Sequence, residues 1–222
     1  MKKLFALFVM LILFTGCSHN LRITNLNENF THPVSPPQET VTIGVVGAQM
    51  NDPVNSGYLF SVVSALRGSG NFDRVIYPYS HSSHGSEVEA IVQISILPEY
   101  DGNASNFFVN FPGFLIFAPA IWGYGYQADI ATMVDISYPD LKKSEHSEIH
   151  LTYTFRQAEI DRTWTEIGWL EVGIIPLIGG FVFTQYDPDV TEPFISEVSP
   201  NYGRYVSTKI TESLYSTLEK NY

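Results

Sequence analysis

The side chains that could do chemistry in this chain are six histidines, one cysteine and a scatter of carboxylates. Zinc accepts nitrogen ligands in fours, and two histidine pairs stand at close spacing, His81 with His84 and His146 with His150. The first pair falls in a polar loop and the second at the start of an expected strand. Residues four apart on a strand share a face but lie about 13 Å apart, too far to clamp one ion. Nucleophilic catalysis also lacks its parts, because no Gly-x-Ser-x-Gly elbow occurs. Gly123-x-Gly125-x-x-Ala128 has the letters of a dinucleotide fingerprint but precedes an expected strand instead of following one. Asp129 and Asp135 share a strand face about 20 Å apart, well beyond the ~5–10 Å that a glycosidase pair spans. Glu171 is the only charge between Gly168 and Gln185, and we read it as a helix-surface carboxylate at the water boundary. The expectation is a protein that is not an enzyme and needs no metal or cofactor.

The cysteine has another use. Lys2 and Lys3 form a positive n-region, Leu4 to Phe14 an apolar h-region, and Phe14-Thr15-Gly16-Cys17 places small residues before the thiol. This pattern resembles the lipobox of bacterial lipoproteins. The resemblance implies cleavage before Cys17, a diacylglycerol thioether on its sulfur and acylation of its new amino group. Ser18 follows where an aspartate would imply inner-membrane retention. The resemblance therefore implies anchoring in the outer membrane, facing the periplasm. As the only cysteine, Cys17 leaves no intramolecular disulfide to form. Several acyl chains, at ~0.8 kcal/mol per buried methylene, make the tether nearly permanent.

Removing residues 1–16 leaves 206 residues with 10 basic and 23 acidic side chains, a net charge of −13. That balance argues against nucleic-acid partners and against adhesion to anionic head groups by overall charge. The 13 tyrosines and 15 phenylalanines argue against disorder and for a β-rich protein at a membrane.

The elements that position these residues follow from periodicity. Residues 17–40 are proline- and asparagine-rich without apolar periodicity, which predicts a lipidated tether. Residues 41–222 are expected to form a single periplasmic α+β domain with a mostly antiparallel sheet. Val41–Ala48 reads as a buried strand, followed by a helix over Gly57–Arg67 with Leu59, Val62, Val63 and Leu66 on one face. Phe72–Tyr79 and Val88–Leu97 read as strands flanking a polar loop. Gln127–Tyr138 and Glu148–Arg156 alternate cleanly and predict an antiparallel hairpin. Ala158–Val172 reads as a helix. Ser199-Pro200 reads as a helix start, with Val206, Ile210, Leu214 and Leu218 on the packed face of a terminal amphipathic helix. The βαββ opening resembles in layout the TolB amino-terminal and CsgG type of envelope domain. The whole order resembles the TraT surface-exclusion lipoproteins, in which an apolar insertion also precedes further strands and a final helix.

Two uncharged stretches remain, as insertions near residues 107–126 and 168–185. The first carries Phe107, Phe108, Phe111, Phe114, Leu115, Ile116, Phe117 and Trp122, interrupted by Pro112, Gly113 and Pro119. The second carries Ile174, Ile175, Leu177, Ile178, Phe181 and Phe183, interrupted by Pro176 and Gly179-Gly180. Each is shorter than the ~20 residues of a spanning helix. They either fill a core or contact a bilayer or neighbouring subunits. A patch this large is more than monomers normally expose, and Trp122, Tyr124 and Tyr126 suit a head-group boundary. Membrane or subunit contact is the expectation carried forward. It makes the chain a non-catalytic structural or assembly component of an envelope complex, a homo-oligomer or a partner of other envelope proteins. The alternative is a monomeric periplasmic module that binds a partner protein or lipid in an apolar groove.

Overall fold

A computed structural model describes residues 21–24, 40–48, 52–84, 87–110, 122–158 and 184–218. The elements in chain order are β1 (Leu21–Ile23), β2 (Val41–Gly47), α1 (Pro53–Gly68), β3 (Phe72–Ile76), α2 (His81–His84), β4 (Ala90–Gly102), α3 (Asn106–Asn110), β5 (Tyr124–Tyr138), β6 (Lys143–Gln157) and α4 (Thr191–Leu218). A 3-10 turn at Pro188–Val190 precedes α4. The fold class is α+β. Six strands form one mostly antiparallel sheet in the order β1-β6-β5-β4-β2-β3, with an amphipathic helix after β2 and a C-terminal helix. β2 pairs parallel with both β3 and β4, whereas β1 pairs antiparallel with β6. The alternation expected of β5 and β6 is present, with Ala128, Ile130, Thr132, Val134, Ile136 and Tyr138 buried on one face.

Contacts divide the chain into two compact units. The larger comprises Asn25–Glu99, Asp129–Thr152 and Thr191–Tyr222. Its core joins α1 to α4 and α4 to the sheet. Tyr58, Leu59, Val62, Val63 and Leu66 of α1 are buried, each contributing roughly 1.5–3 kcal/mol if fully removed from water. Gly203 lets the two helices touch, because a Cβ there would lie 2.5 Å from the Ser61 carbonyl oxygen. The Tyr58 and Tyr202 rings meet edge to face at 5.0 Å, and the Tyr202 hydroxyl bonds Thr132 Oγ1 at 2.6 Å. Tyr215 stacks on Phe72, fixing the end of α4 near β3.

Several boundaries differ from the sequence expectation: β3 stops at Ile76, β4 runs on to Gly102 and β6 begins at Lys143, and three further differences have identifiable causes. Helix α1 begins four residues early, because Asp52 accepts from the Val54 N–H at 2.9 Å and Pro53 occupies the first turn. Helix α4 begins at Thr191, so Ser199-Pro200 is not its start and Pro200 lies inside it. An interior proline costs ~3 kcal/mol. The cost is offset because the four-residue stripe extends upstream through buried Phe194, Val198 and Tyr202, and Pro200 itself faces outward. Third, Leu21–Ile23 within the expected tether is a strand, in register Leu21↔Gln157, Arg22↔Arg156 and Ile23↔Phe155. It occupies the edge of β6, whose backbone groups would otherwise lack partners. The polar loop after β3 holds the short helix α2.

Candidate functional site

The smaller unit comprises Met1–Thr24, Tyr100–Ala128 and Tyr153–Val190. Its described residues include the ends of the first apolar insertion and of the longer segment that carries the second. The first insertion departs through α3 and returns at Trp122. Its ends are tied by Asn106, which is 0% exposed. The Asn106 side-chain amide donates to the Gly125 carbonyl at 2.8 Å, and its oxygen accepts from the Gly125 N–H at 2.7 Å. The Asn103 N–H also donates to the Gly125 carbonyl, at 3.0 Å. An asparagine can satisfy both groups of one peptide position at once because it carries a donor and an acceptor side by side.

Glycines hold the two ends of the segment that carries the second insertion. Gly123, with φ +68, would put a Cβ 2.8 Å from the Gln157 carbonyl oxygen, next to Ala158, where the chain leaves β6 for the segment that carries that insertion. Gly102 would put one 2.1 Å from the Thr184 carbonyl oxygen, where it ends. Both positions abut backbone, which cannot move aside as a side chain can. Gly123 thus serves close backbone packing, whereas Gly125, inside β5, lies against the Asn103 and Asn106 side chains. An aromatic group lies alongside. Tyr100 stacks on Tyr186 at 5.0 Å, Tyr126 meets Tyr186 edge-on at 5.5 Å, and Tyr126 packs on Phe155 at 5.5 Å. Tyr126 and Phe155 are buried, so Tyr126 is a core residue and not the rim aromatic that the sequence suggested.

Of the expected contact residues, Phe107, Phe108 and Trp122 lie in the described part. Phe107 is half-buried, with its ring edge-to-face on Phe108 at 5.3 Å. Phe108 and Trp122 are 73% and 56% exposed. Cys17, Phe111, Phe114, Leu115, Ile116, Phe117, Ile174, Ile175, Leu177, Ile178, Phe181 and Phe183 lie outside the described residues, as do Glu171 and most of the expected helix over Ala158–Val172. Among the described residues, no helix is long and apolar enough to cross a membrane.

The chemistry-bearing side chains disperse over the fold. His146 Nδ1 and Asp135 Oδ1 are 2.8 Å apart across β5 and β6, while His150 lies 3.0 Å from Glu148. His81 contacts the Tyr79 hydroxyl at 3.3 Å. Asp129 accepts from Thr152 at 2.6 Å, so the two strand-face aspartates each have their own partner. No cluster of three metal-ligating side chains occurs among the described residues. In the larger unit, burial alone would raise the Glu145 carboxyl. Donation from Thr217, Lys143 and Ser213 outweighs it and holds the group below its ordinary value. Beside it, burial pushes the Tyr138 hydroxyl up to about 12. Glu145 thereby pins the end of α4 to the start of β6, a structural role with no reactant position.

Sequence reasoning missed Asn106, Gly102 and the Tyr100–Tyr186 pair. Their only trace was the polar turn Asp101-Gly102-Asn103-Ala104-Ser105-Asn106 just before the first apolar run.

No family model matches this chain, and no curated protein matches it. Among solved structures it is similar to a PelC dodecamer from Paraburkholderia phytofirmans in two crystal forms. One, a point variant, is 8% identical with a TM-score of 0.32, covering 82% of this chain and 98% of that one. The other is 6% identical with a TM-score of 0.29, covering 84% and 98%. Likeness at this level carries no argument about function or assembly.

Proposed function

We propose that this chain is an outer-membrane lipoprotein, anchored through acylated Cys17 with its folded part facing the periplasm. In this reading it is a non-catalytic structural or assembly component of an envelope complex. Its partners are the bilayer and either further copies of itself or other envelope proteins, through the apolar insertions. The observation that carries the reading is the arrangement of the smaller unit. The ends of the first insertion are tied by a buried asparagine, and the segment that carries the second leaves after Gln157 and returns at Thr184 with glycines against its backbone at both points. Phe108 and Trp122, at the two ends of the first insertion, are mostly exposed. A fold that used this run as core would be expected to bury its ends. A fold that presents it needs a rigid base, which the tie supplies.

The full chain, extracted in mild detergent, tests the assembly half of the proposal by its mass. A large discrete particle is expected. A particle near the mass of one mature chain, below the 24.9 kDa of the full 222 residues, plus its detergent would refute it and favour the monomeric module with an apolar groove. Cys17→Ser tests the anchor: the variant is expected to lose labelled palmitate, and its retention would refute the lipoprotein assignment.

A further inference from the structure

Arg22 and Arg156 stand directly opposite each other in the β1–β6 register, so their side chains leave the same face of the sheet. Both residues are exposed, and among the described residues neither guanidinium is ion-paired. Like charges directly opposite on a strand pair repel. In a chain with 23 acidic and 12 basic side chains, two adjacent cations with no carboxylate partner among the described residues are a local exception that an external anion would relieve. Arg156 Nη1 donates to the Trp122 carbonyl at 3.4 Å, which ties Arg156 to the residue that carries the exposed indole.

The N-terminal chain says which anion is within reach. Strand β1 begins at Leu21, four residues after Cys17. Four extended residues span at most ~14 Å. The β1–β6 edge therefore cannot be farther than that from an acylated Cys17 at the membrane surface. Sequence alone predicted a long slack tether over residues 17–40. The register of β1 places Leu21–Ile23, inside that stretch, on the sheet edge.

We propose that Arg22 and Arg156 form a docking surface for the phosphates of anionic lipid head groups, with Trp122 at the interface beside them. This surface rests on the anchor reading of Cys17 and fixes how the anchored protein meets the bilayer. Overall net charge opposes such contact, but only over about a Debye length of ~10 Å or less at working salt. Guanidinium pairs match phosphate oxygens in geometry as well as charge.

The test uses the full-length lipoprotein in phosphatidylethanolamine vesicles with and without phosphatidylglycerol, plus brominated lipid as a shallow quencher. The tryptophan quenching lost in Trp122→Phe isolates the contribution of Trp122. That contribution is expected to be strong in anionic vesicles and to weaken at high salt. Each of Arg22→Gln and Arg156→Gln should lower the docking equilibrium ~5-fold, the equivalent of one surface arginine near an anionic membrane. Arg22→Lys with Arg156→Lys should retain most of the docking, which keeps the test valid if the glutamine pair folds poorly. Quenching of Trp122 that is equal in the parent and the double glutamine variant would overturn the docking surface. Labelled palmitate read on the same samples separates the two ideas. Palmitate present without arginine-dependent quenching sinks the docking surface alone, whereas absent palmitate sinks the anchor and this surface together.

Discussion

Replacing Asn106 by alanine removes the tie between the two ends of the first apolar insertion. The variant loses two hydrogen bonds, of 2.8 and 2.7 Å, in a place where the side chain is 0% exposed. The Gly125 N–H is left without its acceptor, which costs ~1–3 kcal/mol for a buried donor. The Gly125 carbonyl keeps the Asn103 N–H, so its lost second bond adds only ~0.5–1.5 kcal/mol. The sum is ~1.5–4.5 kcal/mol, a large share of the ~5–15 kcal/mol by which domains are stable. Urea unfolding followed by aromatic fluorescence reads it as a midpoint shift of ~1–2 M for a slope near ~2 kcal/mol/M. Asn106→Asp is the companion variant. It keeps an acceptor for the N–H but turns a carboxylate oxygen toward the Gly125 carbonyl, so it should be at least as damaging. An Asn106→Ala midpoint within the shift that ~0.5 kcal/mol produces would refute the claim that this residue fixes the base of the insertion.

Three further outcomes are expected. Leu214→Asp places an unpaired charge on the buried face of α4, where Leu214 is 0% exposed, and should lower stability by several kcal/mol; an unchanged melting transition would contradict the docking of that helix. Gly203→Ala drives a Cβ to 2.5 Å from the Ser61 carbonyl oxygen and should cost ~1–3 kcal/mol by forcing α1 and α4 apart, measurable by the same urea titration. Glu145 has a folded-state pKa below its ordinary 4.5, so its contribution is present above that value and is lost as pH falls through the lower folded one. Glu145→Gln should therefore flatten the acid limb of a Tm-against-pH curve, and parallel curves for parent and variant would contradict the assignment.

The strands were legible where one face is buried and the other wet. Residues 127–138 and 148–156 alternate without a break, and a period of two leaves no other element to satisfy. The ends of elements were less legible because they are set by single groups. Asp52 caps α1 through one hydrogen bond, and the choice between Asp52 and other polar residues of Asn51–Ser56 is invisible to periodicity. Pro200 misled because proline marks helix starts more often than interiors; only the burial of Phe194 and Val198 makes the longer helix favourable. Strand β1 has three residues and no pattern of its own, and it exists because β6 offers an edge. The base of the insertions was hidden for a related reason. Asn106, Gly102 and Gly123 act on backbone atoms distant in sequence, and a contact of that kind leaves no spacing to read.

The central claim is that the first apolar run is a contact surface and not core, and Phe114→Ser with Phe117→Ser tests it most directly. A lipid-free chain beginning at Ser18 carries both changes and is heated under circular dichroism, with detergent binding and particle mass measured alongside. As core residues, the two truncations would cost ~3–5 kcal/mol each and abolish the cooperative transition. As contact residues, they are expected to leave that transition intact, improve solubility and reduce detergent binding or particle size. A folded, more soluble and smaller species is the result predicted. An aggregating chain without a cooperative transition would contradict the account and return the run to the core.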